Sequence, residues 1–257
     1  MDRDRAGYGV RVKADPTAQA ALLALQSTDA ILSQLQHRRN NLPEHARIKE
    51  LEAQIKDVDG TRIELDTQVS DLSRAQKKAD AEVEQVKARR TRDEERLNSG
   101  AVKNPKDLES LQHELVALER RISTLEDDEL EVMEKLEDAQ TGLASVQADL
   151  DSLKTELAEQ VSARDTAIEV IDHQVAEAQS ERGSTAEVIP ADLITLYDKL
   201  RGQYGTGAAA LRARRCEGCR LELNGADLRE LAAAPEDDVL RCPECSRILV
   251  RTPESGL

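Results

Sequence analysis

The chain lacks tryptophan and phenylalanine, and its 257 residues include only three tyrosines, Tyr8, Tyr197 and Tyr204. Aromatic side chains supply much of the buried area of compact cores, so a thick globular core is not expected. Charged residues make up 34% of the chain, and alanine, leucine and glutamine make up nearly half of the remainder. This composition is typical of long helices and coiled coils.

Long apolar runs are also missing, since none approaches the roughly 18 to 20 residues of a membrane-spanning helix. Residues 1–15 contain charges but no hydrophobic stretch of the kind found in a secretory signal, and we expect them to form a disordered tail. These absences predict a cytoplasmic protein without membrane insertion. Cytoplasmic thiols stay reduced, so disulfides are the weaker interpretation of the four cysteines.

No catalytic constellation is visible. The four histidines, His37, His45, His113 and His173, are scattered along helical segments, and no glycine-rich phosphate loop is present. The many carboxylates fall on helix faces that should be solvated. The sequence therefore predicts no enzymatic activity and no small-molecule substrate.

Two heptad patterns dominate the centre of the chain, with eleven apolar residues among fifteen positions in the first and fourteen among fifteen in the second. Such patterns predict coiled-coil helices. The first comprises Ile48, Leu51, Ile55, Val58, Arg62, Leu65, Val69, Leu72, Gln76, Ala79, Val83, Val86, Arg90, Asp93 and Leu97. The second comprises Leu108, Leu111, Leu115, Leu118, Ile122, Leu125, Glu129, Val132, Leu136, Ala139, Leu143, Val146, Leu150, Leu153 and Leu157.

Helix lengths decide the expected topology. Helices over about 16–42, 45–98 and 106–182 should rise about 40, 80 and 115 Å, so the first two together match the third. The short tip at 99–105 then requires an antiparallel hairpin over 16–183, with one strand broken near Pro43. The alternative is two separate helices that dimerise in parallel with other chains, and self-association through the seam is compatible with either topology.

The only four cysteines form a C-x2-C pair, a gap of 22 residues and a second C-x2-C pair. Four thiolates suit the tetrahedral shell of a structural zinc ion, and each tight turn can present two sulfurs. A redox C-x-x-C pair and an iron or iron–sulfur site are the alternatives. We predict one structural Zn²⁺, bound by Cys216, Cys219, Cys242 and Cys245, with Gly218 helping the first turn.

The C-terminal domain is expected over 184–257, with a lead-in helix at about 190–204. Residues 247–251 read as a final strand, and 226–233 as a short helix. Leu221 and Leu223 suit a hairpin strand, and Asn224-Gly225 a turn. The sequence thus predicts a mainly α fold: a long antiparallel coiled-coil hairpin followed by a small zinc ribbon.

Two groups of basic residues stand out in a chain whose net charge is −15. The segment 107–183, with 21 acidic and 6 basic residues, has the same net charge as the whole chain. The candidates for binding nucleic acid or another partner are Lys87, Arg89, Arg90, Arg92, Arg96, Lys103 and Lys106 near the hairpin tip, and Arg212, Arg214, Arg215, Arg220, Arg241, Arg247 and Arg251 around the cysteines. Arginine suits phosphate contacts. The alternatives are a solvated helix face and support for the thiolates.

The segments VKNPKDLESLQHEL (102–115), LYDKLRGQYGTG (196–207), CEGC and CPECSRILV (242–250) resemble those of the bacterial four-cysteine zinc-ribbon proteins with a long N-terminal helical hairpin, a family of unknown function. The resemblance covers about 16–251. It implies a hairpin with a zinc ribbon at one end and no known catalytic activity. Relatives are described as nucleic-acid-binding or adaptor proteins, some linked to flagellar or secretion-system assembly.

These observations predict a non-enzymatic zinc-ribbon adaptor that binds protein through its coiled coil and ribbon. The alternative is a regulatory protein that binds RNA or DNA through the basic tip and the arginines around the cysteines.

Overall fold

The computed structural model describes residues 12–257. In this part of the chain the helices are α1 (Pro16–Asn40), α2 (Pro43–Asn98), α3 (Pro105–Glu187), α4 (Ala191–Tyr204) and α5 (Gly225–Ala233). The strands are β1 (Ala208–Arg212), β2 (Arg215–Cys216) and β3 (Ile248–Val250). The predicted fold class, a long helical hairpin followed by a small ribbon, is confirmed. None of the described helices is long and apolar enough to cross a membrane.

The described residues form two packing units. The coil unit is Pro43–Ala163, and the ribbon unit combines the residues before it with Arg164–Leu257. The ribbon unit therefore contains α1 and the last turns of α3, whereas the sequence placed a domain boundary after residue 183.

The coil unit is an antiparallel pair of helices held by the predicted seam. Arg47 of α2 pairs with Glu156 of α3 at 2.6 Å, and Lys87 pairs with Glu126 at 2.8 Å, so the two helices run in opposite directions. All buried residues of 43–163 occupy predicted heptad positions: Ile48, Leu51, Val83, Asp93, Leu111, Ile122, Leu125, Leu136, Ala139 and Leu150. The seam therefore closes within one chain.

Two helix ends differ from the predicted ones. Pro43 is the first residue of α2, where its missing N–H costs nothing, and α1 already ends at Asn40. Helix α3 continues to Glu187, five residues beyond its predicted end at about residue 182. A single interior glycine such as Gly183 costs only about 1 kcal/mol relative to alanine. The helix instead ends shortly before Pro190.

The start of α1 is tied to the ribbon. Residues 1–11, most of the predicted disordered tail, lie outside the described residues. For 12–15 the prediction of disorder is wrong, because the Ala14 N–H donates to the Asp237 carbonyl at 2.9 Å and the Val239 N–H donates to the Val12 carbonyl at 3.2 Å. Asp15 then caps α1 by accepting from the Thr17 N–H at 2.7 Å, as Asp at a helix N-cap does.

The ribbon unit has a core shared by helices and strands. Leu22 and Leu25 of α1 pack with Leu193 and Tyr197 of α4 and with Ile248 of β3. All five side chains are fully buried. Burial of this kind makes α1, α4 and the sheet one structural body.

A buried carboxylate joins the helices of the ribbon unit. Asp29 of α1 is fully buried and accepts hydrogen bonds from the Tyr197 hydroxyl at 2.7 Å and the Arg182 Nε at 2.8 Å. The guanidinium of Arg201 lies 3.1 Å from the same carboxylate. Burial and the hydrogen bond to Asp29 raise the pKa of Tyr197 far above its usual value, so the hydroxyl remains a donor.

We expect Asp29→Asn to destabilise the protein by about 3 kcal/mol, because it leaves two arginines beside a buried group that no longer neutralises them. Urea denaturation followed by circular dichroism measures this loss. Asp198→Asn is the control. Asp198 pairs with Arg182 from an exposed position, so its removal should cost less than about 1 kcal/mol. Equal costs for the two variants would contradict the role given to Asp29.

The chain approaches Tyr197 so closely at Gly207 that no side chain fits. A Cβ added there would lie 2.6 Å from the Tyr197 carbonyl oxygen and 2.6 Å from its ring. The Gly207 N–H donates to Oε1 of Gln26 at 2.8 Å, which fixes the entry to β1 against α1.

Gly207→Ala should therefore destabilise the protein by about 1 to 3 kcal/mol through overpacking. Gly202→Ala, in α4, is the matched control because nothing lies within 4 Å of its added Cβ. The control should be neutral or slightly stabilising, since alanine favours a helix. Chemical denaturation of both variants tests this, and a Gly207→Ala protein as stable as the control would refute the close contact.

Candidate metal centre

The sheet of the ribbon carries the cysteines into one place. Its strand order is β2-β1-β3, with β1 antiparallel to β2 and parallel to β3. Cys216 lies in β2 opposite Leu211 of β1. Cys242 follows an antiparallel bridge between Arg241 and Ile248. The two cysteine pairs are thus brought together from opposite sides of β1.

The first cysteine pair sits on a tight turn stabilised by the backbone. The Cys216 N–H donates to the Leu221 carbonyl at 3.1 Å, and the Arg220 N–H donates back to the Cys216 carbonyl at 2.7 Å. Arg220 adopts a positive φ of 62°. An L-residue in this region is uncommon, so the turn is held by its surroundings.

The second pair repeats the same turn. The Cys242 N–H donates to the Arg247 carbonyl at 2.9 Å, and the Ser246 N–H donates to the Cys242 carbonyl at 2.9 Å. Ser246 has a φ of 60°. Because donors and acceptors recur at the same spacing, each turn presents its two sulfurs in the same way.

Gly218 serves the first turn differently from the prediction. The left-handed residue is Arg220, not Gly218. A Cβ on Gly218 would instead lie 3.0 Å from the Ala209 Cβ and 3.0 Å from the Arg247 Cδ. Gly218 therefore makes room for the strand and for the second turn.

The four sulfurs lie where a tetrahedral ion would place its ligands. All of them are within 4.8 Å of one another, and the distances Cys216–Cys245 and Cys219–Cys242 are both 3.9 Å. Zn–S bonds of about 2.3 Å imply tetrahedral edges of about 3.8 Å. None of the four forms a disulfide. The donor set therefore fits one structural zinc ion, and four thiolates leave no position for a reacting water.

The thiols differ in their readiness to ionise. Burial raises the pKa of Cys216 and Cys242. Burial also opposes ionisation of Cys245, but hydrogen bonds from the backbone and side chain of Arg247 outweigh it and lower the pKa of Cys245 to about 7. Zinc binds thiolates, so metal uptake by this site releases protons.

A small apolar cluster surrounds the metal site. Leu211, Leu223, Leu231 and Leu249 pack with Cys216 and with the other cysteines. So few side chains give little hydrophobic stabilisation, and modules of this size commonly depend on a metal. Structural zinc supplies what the apolar core does not.

The predicted turn at Asn224-Gly225 is wrong. Asn224 is the N-cap of α5, and its side-chain oxygen accepts from the N–H groups of Ala226 and Asp227, both at 2.9 Å. Leu223 is buried, whereas Leu221 is half exposed, and only Glu222 between them makes a bridge, to Arg215. Asparagine is among the best N-cap residues, and Asn224 accordingly begins α5 here.

The arginines nearest the second cysteine pair donate hydrogen bonds to backbone carbonyls of the protein itself. Arg241 donates to the Ser246 carbonyl at 2.7 Å. Arg247 donates to the carbonyls of Thr206 and Tyr204 and lies over the Tyr204 ring. Arg251 donates to the carbonyls of Ala234, Pro235 and Asp238. These side chains support the ribbon's own backbone.

The arginines of β1, β2 and the turn between them are more exposed but also form hydrogen bonds or ion pairs within the protein. Arg212 pairs with Glu254 at 2.6 Å, Arg215 pairs with Glu222 at 3.6 Å, and Arg214 donates to the Gly256 carbonyl at 3.3 Å. Of the candidates around the cysteines, Arg220 alone makes no side-chain hydrogen bond or ion pair to the described residues.

The basic residues of the tip group are similarly divided. Lys87 pairs with Glu126, Arg89 with Glu114, Arg90 with Glu94 and Glu119, and Arg96 with Asp93. Within 12–257, Arg92, Lys103 and Lys106 make no side-chain hydrogen bond or ion pair. Most of the predicted tip patch therefore neutralises carboxylates of its own hairpin.

Comparison with known proteins identifies the architecture. The family described as the CT398-like coiled coil hairpin domain matches residues 25–205. The chain belongs to this family. A C4-type zinc ribbon domain matches residues 215–249, which include all four cysteines. These two matches indicate no catalytic family.

Solved relatives share the fold over nearly their whole length. A Mycobacterium smegmatis protein is 36% identical with a TM-score of 0.82, and the match covers 94% of this chain and all of that one. CT398 from Chlamydia trachomatis is 20% identical with a TM-score of 0.66, covering 92% and 98%. An uncharacterized Mycobacterium tuberculosis protein is 37% identical over 100 residues, which span 39% of this chain and 41% of that relative.

The purified protein should contain one zinc ion per chain by elemental analysis. Cys216→Ser should abolish stoichiometric zinc and expose the ribbon amides to hydrogen exchange, because three thiolates cannot complete the shell. Glu217→Ser, at an exposed neighbouring position, is the control and should retain zinc. A fully protected ribbon without metal would contradict a structural role for the site.

Proposed function

We propose that this protein is a non-enzymatic adaptor that binds partner proteins through its coiled coil and its zinc ribbon. The observation that carries the proposal is that most of the candidate basic residues are already paired within the protein. Ten of the fourteen basic candidates contact groups of their own chain, so few of them are available to phosphates.

The remaining surface of the hairpin is unfavourable for nucleic acid. Helix α3 carries most of the acidic excess of the chain, and a phosphate backbone approaching it would meet like charge. Protein partners do not share this restriction. The proposal places the adaptor in the cytoplasm, where its thiols stay reduced and available to zinc.

The ribbon unit supports an adaptor through its rigidity. The metal turns, β1 and β3 share one body with α1 and α4, and Asp29 ties α1 to α3 and α4. Interfaces gain affinity when the contacting surface is ordered before binding. A ribbon held in this way can present a fixed surface.

Nucleic-acid binding is the second candidate, and one observation favours it. Arg92, Lys103 and Lys106 lie at or near the hairpin tip without an intramolecular partner in the described residues. Three free cations can support a weak, salt-sensitive contact with a phosphate backbone.

Binding to labelled single-stranded RNA and duplex DNA at low and physiological salt separates the candidates. An adaptor should bind neither at physiological salt, because phosphate contacts weaken steeply as salt rises. The triple variant Arg92→Glu, Lys103→Glu, Lys106→Glu tests the tip, and Lys49→Glu, Lys56→Glu, Lys77→Glu is the control with the same charge change. Tight binding at physiological salt that only the tip variant loses would favour the second candidate.

The adaptor itself is tested by affinity capture from nuclease-treated lysate with the full chain. Proteins retained after nuclease treatment and lost from a variant with a disrupted metal site, Cys216→Ser, would support binding through the ribbon. If the chain retains no protein under any of these conditions, the proposal fails.

A further inference from the structure

One side of α3 in the coil unit exposes large apolar side chains. Val116 is 52% exposed, Leu130 is 55% exposed and Met133 is 41% exposed. At 3.6 residues per turn, Val116 and Leu130 point within about 40° of each other, and Met133 lies about 60° from Leu130. The seam residues Leu125 and Leu136 face elsewhere, since both are buried. Exposed apolar groups that share a face often mark an interaction site.

A groove lies between the ends of this row. Its volume is about 420 Å³, and it is lined by Glu119, Ile122, Ser123 and Glu126 of α3 with Lys87, Arg90 and Thr91 of α2. Ile122, a buried seam residue, is the one apolar residue of this lining, and the ion pairs Lys87–Glu126 and Arg90–Glu119 cross the groove. Ser123 falls midway between Val116 and Leu130, seven residues from each, which places the groove on the same face.

The face continues to Glu137, a further seven residues along the helix. We call the side of α3 from Val116 to Glu137 the acidic flank. It is about 32 Å long at 1.5 Å per residue. That length accommodates about six turns of a partner helix laid alongside it.

The acidic charge of the flank is concentrated in its C-terminal half. Residues 116–137 contain eight acidic and three basic residues, and seven of the eight acidic residues lie within 126–137, with Lys135 as the one basic residue there. Asp127, Glu134 and Glu137 are exposed, and in the described part of the chain their side chains form no ion pair or hydrogen bond. They lie within one turn of Leu130 or Met133. The flank therefore combines an apolar ridge with free carboxylates.

We propose that the acidic flank docks a basic amphipathic helix of a partner protein. The inference rests on the proposed adaptor function and names the chemistry of its partner. Apolar side chains of such a helix would cover Leu130 and Met133, as the apolar face of an amphipathic helix does when it docks on a partner. Its lysines and arginines would meet Asp127, Glu134 and Glu137 and set its orientation. A second copy of this flank is a poor occupant, because two acidic faces repel each other.

The test uses the full zinc-loaded chain and a fluorescein-labelled 21-residue peptide of leucine and lysine, with leucine at helical i, i+3 and i+4 spacing. Fluorescence anisotropy measures its dissociation constant. Glu134→Lys with Glu137→Lys should weaken binding at least tenfold, because two attractive carboxylates become repulsive. Leu130→Ser with Met133→Ser should also weaken it about tenfold, because the apolar contact is lost.

Each variant has a matched control. Asp149→Lys with Glu159→Lys makes the same charge change at exposed positions outside the flank. Ile63→Ser with Val170→Ser removes two equally exposed apolar side chains elsewhere. Both controls should bind the peptide within about twofold of the parent chain. Circular dichroism must give the same helix content for all five proteins.

Four results would overturn the inference. If the Asp149 and Glu159 control weakens peptide binding as much as the flank variant does, the binding is explained by general charge attraction. If the serine variant binds the peptide as tightly as the parent chain, Leu130 and Met133 do not contribute to the contact. Sedimentation showing that the parent chain dimerises and that the flank variants are monomeric would make a second copy the occupant. If lysate proteins still bind the flank variants as they bind the parent chain, this inference fails while the adaptor proposal stands.

Discussion

The burial of the Asp29 carboxylate is the constraint on which the ribbon unit depends. A buried carboxylate is tolerable only when donors surround it, and here the donors come from the end of α3 and from α4. This single group therefore requires three helices to meet in one arrangement. Gln26, one turn earlier, extends the same arrangement to the first residues of the sheet by accepting from the Gly207 N–H. The entry to β1 is set before the metal turns begin.

The zinc site and an apolar core each stabilise a different part of the ribbon. On the α1 side, Tyr197 and Ile248 lie in an apolar core that contains none of the metal ligands. On the other side, the leucines around the cysteines form a much smaller cluster, where four thiolates tie the two turns together. Arg247 connects the two sides, because its backbone belongs to the second turn while its side chain reaches the end of α4. The site is structural in character, since its closed shell offers no place for a substrate.

The coil unit uses charge as well as its apolar seam. Lys87, Arg89 and Arg90 of α2 pair with carboxylates of α3, which favours the antiparallel register but leaves little basic surface. Among the described residues, Asp127, Glu134 and Glu137 of α3 have no such partner, and they lie beside exposed Leu130 and Met133. Four of the seven basic residues near the tip are thus paired with carboxylates of the hairpin, and the acidic face is the more distinctive surface.

The sequence by itself determined the hairpin, the seam and the four metal ligands. A heptad repeat permits only one buried stripe, and two C-x2-C pairs have few other uses. It did not determine the end of α3, the role of Asn224 or the fate of the arginines, because each depends on a partner distant along the chain. Residues 12–14 show the same limit, since only the strand-like partners at 237–239 order them. Only the tertiary structure decided which charges stay free, because pairing is a property of distance in space and not of position in sequence.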